Sequence, residues 1–236
     1  MSDTMNNTET EAIERRLRHA VACARAGGDF TLRHFSTGVM TADRKSDGSP
    51  VTIADRGCEE LIRGMLREAF PDDGLSFRHG VPLYTTLIGI EEVERGDVVA
   101  GVVRAPALDE MVYAREGGGA WHAVGEREPV PARVTKTASL AEATGSTTSM
   151  EYWDEPRQWL ELHKMCAHTR SWADAYGVLL VATGRCDAVV ESNVHPWDIA
   201  PFGPILTEAG GRATDWRGGT SPHADTLIAS NGALHG

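Results

Sequence analysis

The sequence predicts an α/β chain, of the layered α+β kind, in which helices are stacked on sheets. Two stretches near its start carry apolar residues at helical spacing, residues 81–120 show strand patterns separated by turns, and the second half alternates between helix and strand patterns. Helices and strands in such an order bury their apolar faces against one another. With 236 residues, of which 41% are hydrophobic, the chain can build a substantial core.

Two amphipathic helices are predicted in the first seventy residues. The first spans residues 9–35, and the second begins after Asp55, which precedes a new apolar repeat and is therefore expected to be its N-cap. The apolar face of the first helix comprises Ile13, Leu17, Ala20, Val21 and Ala24. The expected buried face of the second comprises Cys58, Leu61, Ile62, Met65, Leu66 and Ala69.

The next region is expected to form an antiparallel meander. Strands are predicted at residues 83–88, 97–105 and 111–114, with turns at residues 94–97 and 106–109. The glycine run 117–119 does not form a phosphate-binding fingerprint, because it follows a hairpin strand and no convincing helix follows it.

The second half is expected to alternate. The predicted elements are strands near Thr144 and Thr169, helices at 156–166 and 173–183, a strand at 187–191, a helix that carries Asp198, and strands near Ala213 and at 226–229. Pro196 and Pro201 bracket the start of the Asp198 helix, and a glycine pair at 210–211 ends it. A carboxylate in this position can bind a metal ion or cap the helix.

Charge and composition restrict the partners. The net charge of −11 argues against nucleic acid, which is bound through clustered Lys and Arg. No run of about 18 apolar residues is present, so no membrane span is expected, and the polar first residues predict a cytoplasmic location. The four cysteines show no C-x-x-C spacing and are expected to be reduced.

A second segment opens a helix in the same way as the Pro196-Trp197-Asp198 segment. It reads Lys45-Ser46-Asp47-Gly48-Ser49-Pro50-Val51-Thr52-Ile53-Ala54-Asp55. These two segments, in this order, resemble the inositol monophosphatase-like family of Mg²⁺-dependent phosphomonoesterases. Further matches are Phe70-Pro71, the Gly80-Val81-Pro82-Leu83-Tyr84 stretch, Gly101-Val102-Val103 and Gly117-Gly118-Gly119-Ala120-Trp121. Two such segments are more specific than either alone.

The resemblance implies an αβαβα sandwich in one compact unit, with a helix-and-antiparallel-sheet lobe at 1–125 and an α/β lobe at 126–236. It also implies a homodimer. However, the family's Gly-Glu-Glu and Asp-Pro-x-Asp-Gly-Thr motifs, which supply most of its metal ligands, are absent near residues 75–76. The N-terminal sheet is therefore expected to lack a strand. Resequencing of the locus would show whether the gene itself lacks the segment that carries these motifs.

The resemblance also assigns site residues. Asp198 corresponds to a Mg²⁺ ligand, Asp55 to the residue that orients the attacking water, and Lys45 to a loop lysine near the metal; Thr52 belongs to the same catalytic segment. An acidic protein that handles a phosphate ester needs such a cation to offset repulsion. A plain helix cap for Asp55 and a solvated side chain for Lys45 are the alternatives.

Substrate recognition is expected at the Arg170, Ala173 and Asp174 turn, with Glu191 as its carboxylate partner. Two carboxylates suit a cationic alcohol such as histidinol, and the residues around Asp174 most resemble the histidinol-phosphatases of the family, although Asp174 could also be only a helix cap. The predicted function is Mg²⁺-dependent hydrolysis of a small phosphorylated metabolite, histidinol phosphate, in histidine biosynthesis. The alternatives are an inactive, truncated member that binds or dimerises, and an inositol-phosphate phosphatase, since acidic residues also accept hydrogen bonds from a polyol.

Overall fold

The structure is a computed structural model that describes residues 7–35, 43–44, 50–51, 53–70, 85–92, 95–172 and 174–235. The helices are α1 (Asn7–Phe35), α2 (Ile53–Ala69), α3 (Pro156–Met165), α4 (Asp174–Ala182), α5 (Pro196–Ile199) and α6 (Phe202–Ala209). The strands are β1 (Asp43–Arg44), β2 (Pro50–Val51), β3 (Thr86–Glu92), β4 (Asp97–Ala105), β5 (Glu110–Arg115), β6 (Ala120–Val124), β7 (Val130–Pro131), β8 (Thr144–Thr147), β9 (His168–Ser171), β10 (Ala188–Glu191), β11 (Gly211–Thr214) and β12 (Leu227–Asn231).

The first large sheet is the predicted antiparallel meander. Its order is β3-β4-β5-β6-β7, so the meander continues two strands beyond the predicted ones. In the described part of the chain, β3 pairs only with β4. Helices α1 and α2 cover one face of this sheet, through a core that contains Leu17, Cys58, Ile62, Ile88 and Val102. The two helices are amphipathic as predicted, because their buried residues recur at helical spacing.

The second large sheet has the order β11-β12-β10-β8-β9. Strands β10, β8 and β9 are parallel, whereas β12 and β11 are antiparallel to their neighbours. Helices α4 and α6 supply Leu179 and Leu206 to a core that also takes Val103 from the first sheet and Val189 from the second. These two helices therefore lie between the sheets, which confirms the predicted layered α+β fold. The predicted lobe boundary at 125/126 stays a prediction.

Three predictions about element boundaries were wrong. The Asp198 helix is two helices, α5 and α6, because Pro201 has no N–H with which to continue the first one. Asp55 is the third residue of α2 and not its N-cap. The pattern had indicated a strand at residues 83–88, of which 83–84 lie outside the described residues; β3 spans Thr86–Glu92, and Thr85 is not part of it.

A buried carboxylate joins the first sheet to α4. Glu110 accepts hydrogen bonds from Arg185 and from the Tyr176 hydroxyl, the latter at 3.5 Å, and contacts His122 Nε2 at 2.6 Å. Burial alone would raise the pKa of Glu110, but the hydrogen bonds and charges of His122 and Arg185 outweigh it and hold that pKa below its ordinary value. Glu110 therefore stays ionised, and its partners satisfy the buried charge.

Candidate active site

Three parallel strands bring two of the predicted substrate residues, Arg170 and Glu191, to one edge of the second sheet. Thr147 ends β8, Ser171 ends β9 and Glu191 ends β10. Parallel strands end at the same edge, and open α/β sheets bind ligands in the crevice outside these carboxyl ends. Arg170 lies next to this edge, paired in register with Ser146 of β8. The backbone N–H of Trp172 donates to Ser146 Oγ at 3.3 Å, which fixes the chain as it leaves β9.

Glu191 is buried and held by two threonines. Thr147 Oγ1 donates to Glu191 Oε2 at 3.0 Å. Glu191 Oε1 accepts from both the backbone N–H and the hydroxyl of Thr148, at 2.8 and 2.9 Å. Trp153 Nε1 donates in turn to Thr147 Oγ1 at 2.9 Å. These donors stabilise the ionised carboxylate and fix its orientation, and its role toward a substrate stays a prediction.

No pattern in the sequence had indicated Thr147, Thr148 or Trp153. Trp153 belongs to an aromatic group with Trp159 and Trp216, whose ring centroids lie 5.8 and 5.3 Å from its own. Glu191 lies more than forty residues along the chain from both threonines. No local spacing could have indicated this arrangement, because it depends on β8 and β10 being neighbours in the sheet.

Asp198 lies in the first turn of α5, and its side chain is half-buried. Its Oδ2 accepts a hydrogen bond from the backbone N–H of His195 at 3.1 Å, and its own N–H donates to the His195 carbonyl at 2.8 Å. The structure thus confirms that Asp198 lies at a helix N-terminus, where it caps the helix. The rings of His195 and Trp197 lie 4.8 Å apart beside it, and Trp197 is 38% exposed.

The fit of a magnesium ion can be judged from Asp198. A half-buried carboxylate is the oxygen donor that Mg²⁺ prefers, and Mg²⁺ often takes only one or two protein carboxylates together with waters and substrate phosphate. Asp198 therefore fits a ligand role. Among the described residues, however, no group of three or more His, Cys, Asp or Glu side chains could hold a metal ion.

The other predicted residues fall into three groups. Arg170 is exposed, and its Nη1 donates to the carbonyl of Thr169 at 2.7 Å. Asp55 and Asp174 lie in α2 and α4, but their side chains are outside the described part of the structure. Lys45, Thr52 and Ala173 lie wholly outside the described residues. The structure therefore brings Arg170 and Glu191 to one sheet edge and leaves the others as predictions.

A separate cavity of about 240 Å³ lies against α5 and α6. It is lined by Ile199 and Ala200, by the β3–β4 turn at Arg95, and by Glu116 and Asp215. Of the predicted site residues whose side chains the structure describes, none lines this cavity. In the described part of the chain, no helix is long and apolar enough to cross a membrane.

Comparisons with known proteins identify the class of fold. The Thermotoga maritima IMPase superposes with a TM-score of 0.79, at 32% identity over 94% of each chain. An inositol monophosphatase from Zymomonas mobilis gives a TM-score of 0.81, at 26% identity over 95% of this chain and 94% of its own. The layered fold is therefore that of the inositol monophosphatases.

The family follows from the sequence matches. The Inositol monophosphatase family matches residues 75–236, and the match begins where the sequence analysis had placed the break. A Histidinol-phosphatase from Chlorobaculum parvum is 34% identical over 92% of this chain and 93% of its own length. A Histidinol-phosphatase from Mycobacterium tuberculosis is 31% identical, over 92% and 93%. The chain belongs to the inositol monophosphatase family, and by family it is a phosphoric monoester hydrolase.

The length of the alignment bears on the missing motifs. The match to the Chlorobaculum protein extends over 247 positions, which is more than the 236 residues of this chain. The relative must therefore contain residues that have no counterpart here. This difference agrees with an internal gap in the present chain.

Proposed function

We propose that this chain hydrolyses histidinol phosphate to histidinol and phosphate, with Mg²⁺ as cofactor, in histidine biosynthesis. The observation that carries the proposal is the similarity to histidinol-phosphatases of three organisms, at 31–34% identity over 92–93% of the chain. The sheet edge formed by β8, β9 and β10 supports it, because Arg170 and Glu191 lie there.

Each proposed residue has a chemical role. Asp198 holds the ion, Asp55 orients the attacking water, and Lys45 and Thr52 complete the catalytic segment. Bound Mg²⁺ would neutralise charge on the phosphoryl oxygens and on the leaving alkoxide. The metal-site residues therefore act on the phosphoryl group, and the alcohol is left to the sheet edge.

The alcohol is bound by the second group of residues. Arg170, Ala173 and Asp174 form the turn that contacts it, and Glu191 supplies a fixed negative charge. Histidinol carries an ammonium group and an imidazole, so a buried carboxylate held in one orientation favours it through charge-assisted hydrogen bonds. Inositol phosphate has no such cation, and it is the second substrate to test.

The experiment is phosphate release from histidinol phosphate and from inositol 1-phosphate, with and without millimolar Mg²⁺. Asp198→Asn is expected to abolish Mg²⁺-dependent release while remaining folded, because an amide is a weaker ligand than a carboxylate. Asp154→Asn, at an exposed position, is the matched control and is expected to keep full activity. Preference for inositol 1-phosphate would contradict the proposed substrate.

An inactive family member is the second candidate function. It is favoured by the absence of the Asp-Pro-x-Asp-Gly-Thr motif from the chain and by the family match that begins only at residue 75. On this hypothesis the chain binds or dimerises without turnover. No phosphate release by a folded sample, together with no Mg²⁺-induced change in thermal stability, would support it.

A homodimer and a cytoplasmic location are proposed with the activity. The homodimer rests on the family resemblance, and the location rests on the small phosphorylated metabolite that the enzyme would use. Sedimentation equilibrium of the purified protein tests the first: a single species of about twice the 25.5 kDa chain mass is expected.

A further inference from the structure

Two glycines lie opposite each other on adjacent strands of the first sheet, at the point where the chain that follows α5 packs against that sheet. Gly89 of β3 and Gly101 of β4 are paired in register. A β carbon on Gly101 would lie 2.8 Å from Pro201 Cα and closer still to the Pro201 carbonyl oxygen. A β carbon on Gly89 would lie 2.9 Å from Ala200 Cβ. Only glycine leaves room here, because packed atoms do not approach so closely.

The row of small residues continues across the sheet. Gly101 pairs with Ala114 of β5, and Ala114 pairs with Ala120 of β6. Both alanines are buried in the same core as Phe202 of α6. Helix α6 and the turn before it thus pack against a flat strip of sheet, which places their backbone close to the strands.

This contact lies next to the proposed metal ligand. Ala200 follows α5, and its N–H donates to the Pro196 carbonyl at 2.9 Å. Asp198 lies two residues earlier. Because α5 has only four residues, its few internal hydrogen bonds cannot hold it in place, and its position is set by what its end packs against.

We propose that Gly89 and Gly101 are positioning residues that set the place of Asp198 by packing against Ala200 and Pro201. The inference rests on the proposed function, since it gives Asp198 its role. A methyl group at either glycine would push the Ala200–Pro201 backbone away from the sheet and α5 with it. Displacements of about 1 Å at a site can reduce activity by about 10²-fold.

The test compares Gly101→Ala with Gly203→Ala, a matched control in α6. Apart from the chain neighbours and the helix's own backbone, a methyl group added at Gly203 meets no atom of the described residues within 4 Å. Hydrogen exchange of the α5 amides is measured by mass spectrometry, along with the Mg²⁺ concentration that gives half-maximal phosphate release. Gly101→Ala is expected to speed exchange at the amides of residues 197–200 and to raise the Mg²⁺ midpoint by about 10-fold or more. The control is expected to match the wild type in both.

A rescue variant separates positioning from general damage to the fold. The nearest atom to a β carbon on Gly89 is Ala200 Cβ, so Gly89→Ala is expected to show the same defects as Gly101→Ala, and Gly89→Ala with Ala200→Gly is expected to recover. Unchanged α5 exchange and an unchanged Mg²⁺ midpoint in folded Gly101→Ala, or no recovery in the double variant, would overturn the inference. Hydrogen exchange can be measured without turnover. An inactive wild type would therefore contradict the proposed function, whereas the exchange rates of the α5 amides would still decide this inference.

Discussion

Glu208 of α6 accepts a hydrogen bond from the backbone N–H of Gly119, with 2.7 Å between N and Oε2. Its other oxygen, Oε1, accepts from Gly117 N–H at 2.7 Å. Both glycines have positive φ angles, of 68° and 74°, which turn their N–H groups toward one acceptor. The glycine run 117–119 therefore binds a carboxylate of its own chain, which agrees with the prediction that it is not a phosphate-binding fingerprint.

Glu208→Ala is expected to lower the free energy of unfolding by about 1–3 kcal/mol, because two hydrogen bonds to a charged acceptor are lost. Urea unfolding followed by tryptophan fluorescence measures the change. Glu142→Ala, at an exposed position, is the control and is expected to stay within about 0.5 kcal/mol of the wild type. Equal effects of the two substitutions would show that the Glu208 contact does not stabilise the fold.

Thr86→Val and Thr147→Val are expected to change stability in opposite directions, although both threonines are fully buried. Thr86 Oγ1 has no hydrogen-bond partner within the described ranges, so its removal is expected to stabilise the protein by up to about 1 kcal/mol. Thr147 Oγ1 joins Trp153 to Glu191, so its removal is expected to cost about 1–3 kcal/mol.

Urea unfolding measures both valine variants. Each variant is the control for the other, because the chemical change from threonine to valine is identical at the two positions. Destabilisation by Thr86→Val would mean that its hydroxyl has a partner after all. A neutral Thr147→Val would mean that Glu191 is not held by this hydroxyl.

Stability is expected to fall as the pH drops below about 6.5, in part through His235. Burial, followed by the charge of Arg212, lowers the pKa of His235 in the folded chain. The unfolded chain therefore binds the proton first, so the contribution of His235 is complete above about pH 6.5 and is lost as the pH falls toward the lower folded pKa. The neutral ring hydrogen-bonds with Ser230 and Thr214.

Urea unfolding at pH 7.5 and 5.5 tests the role of His235. His235→Asn is expected to reduce the difference in unfolding free energy between the two pH values. His168→Asn, which changes an exposed ring, is expected to retain that difference. An identical loss in wild type and His235→Asn would exclude this histidine as the cause.

Cys23 and Cys186 are expected to resist thiol reagents in the native protein. Burial raises the pKa of each thiol to about 11, and the thiolate is the reactive form. Titration with a disulfide reagent at pH 8 is expected to label Cys166, which is partly exposed, and to reach all four thiols only in denaturant. Cys166→Ser is the control, and rapid native labelling in that variant would contradict the prediction.

Local pattern predicted most of the fold. The apolar repeats of α1 and α2 and the limits of β4 were predicted because each depends on residues that are close together in the chain. The Asp198 segment was harder: its pattern predicted one helix, whereas the chain forms α5 and α6 there, because Pro201 has no N–H with which to continue α5.

Sequence alone was sufficient to predict the layered fold, the family and the position of Asp198 at the N-terminus of a helix. Hydrophobic periodicity, helix ends and motifs each depend on residues that are close together in the chain. Only the tertiary structure revealed the threonines that hold Glu191, the glycine pair beneath Ala200 and Pro201, and the carboxylate within the glycine run. These arrangements join residues that are about forty to more than a hundred positions apart. Strand register and helix packing decide which distant residues meet, and no local period records that choice.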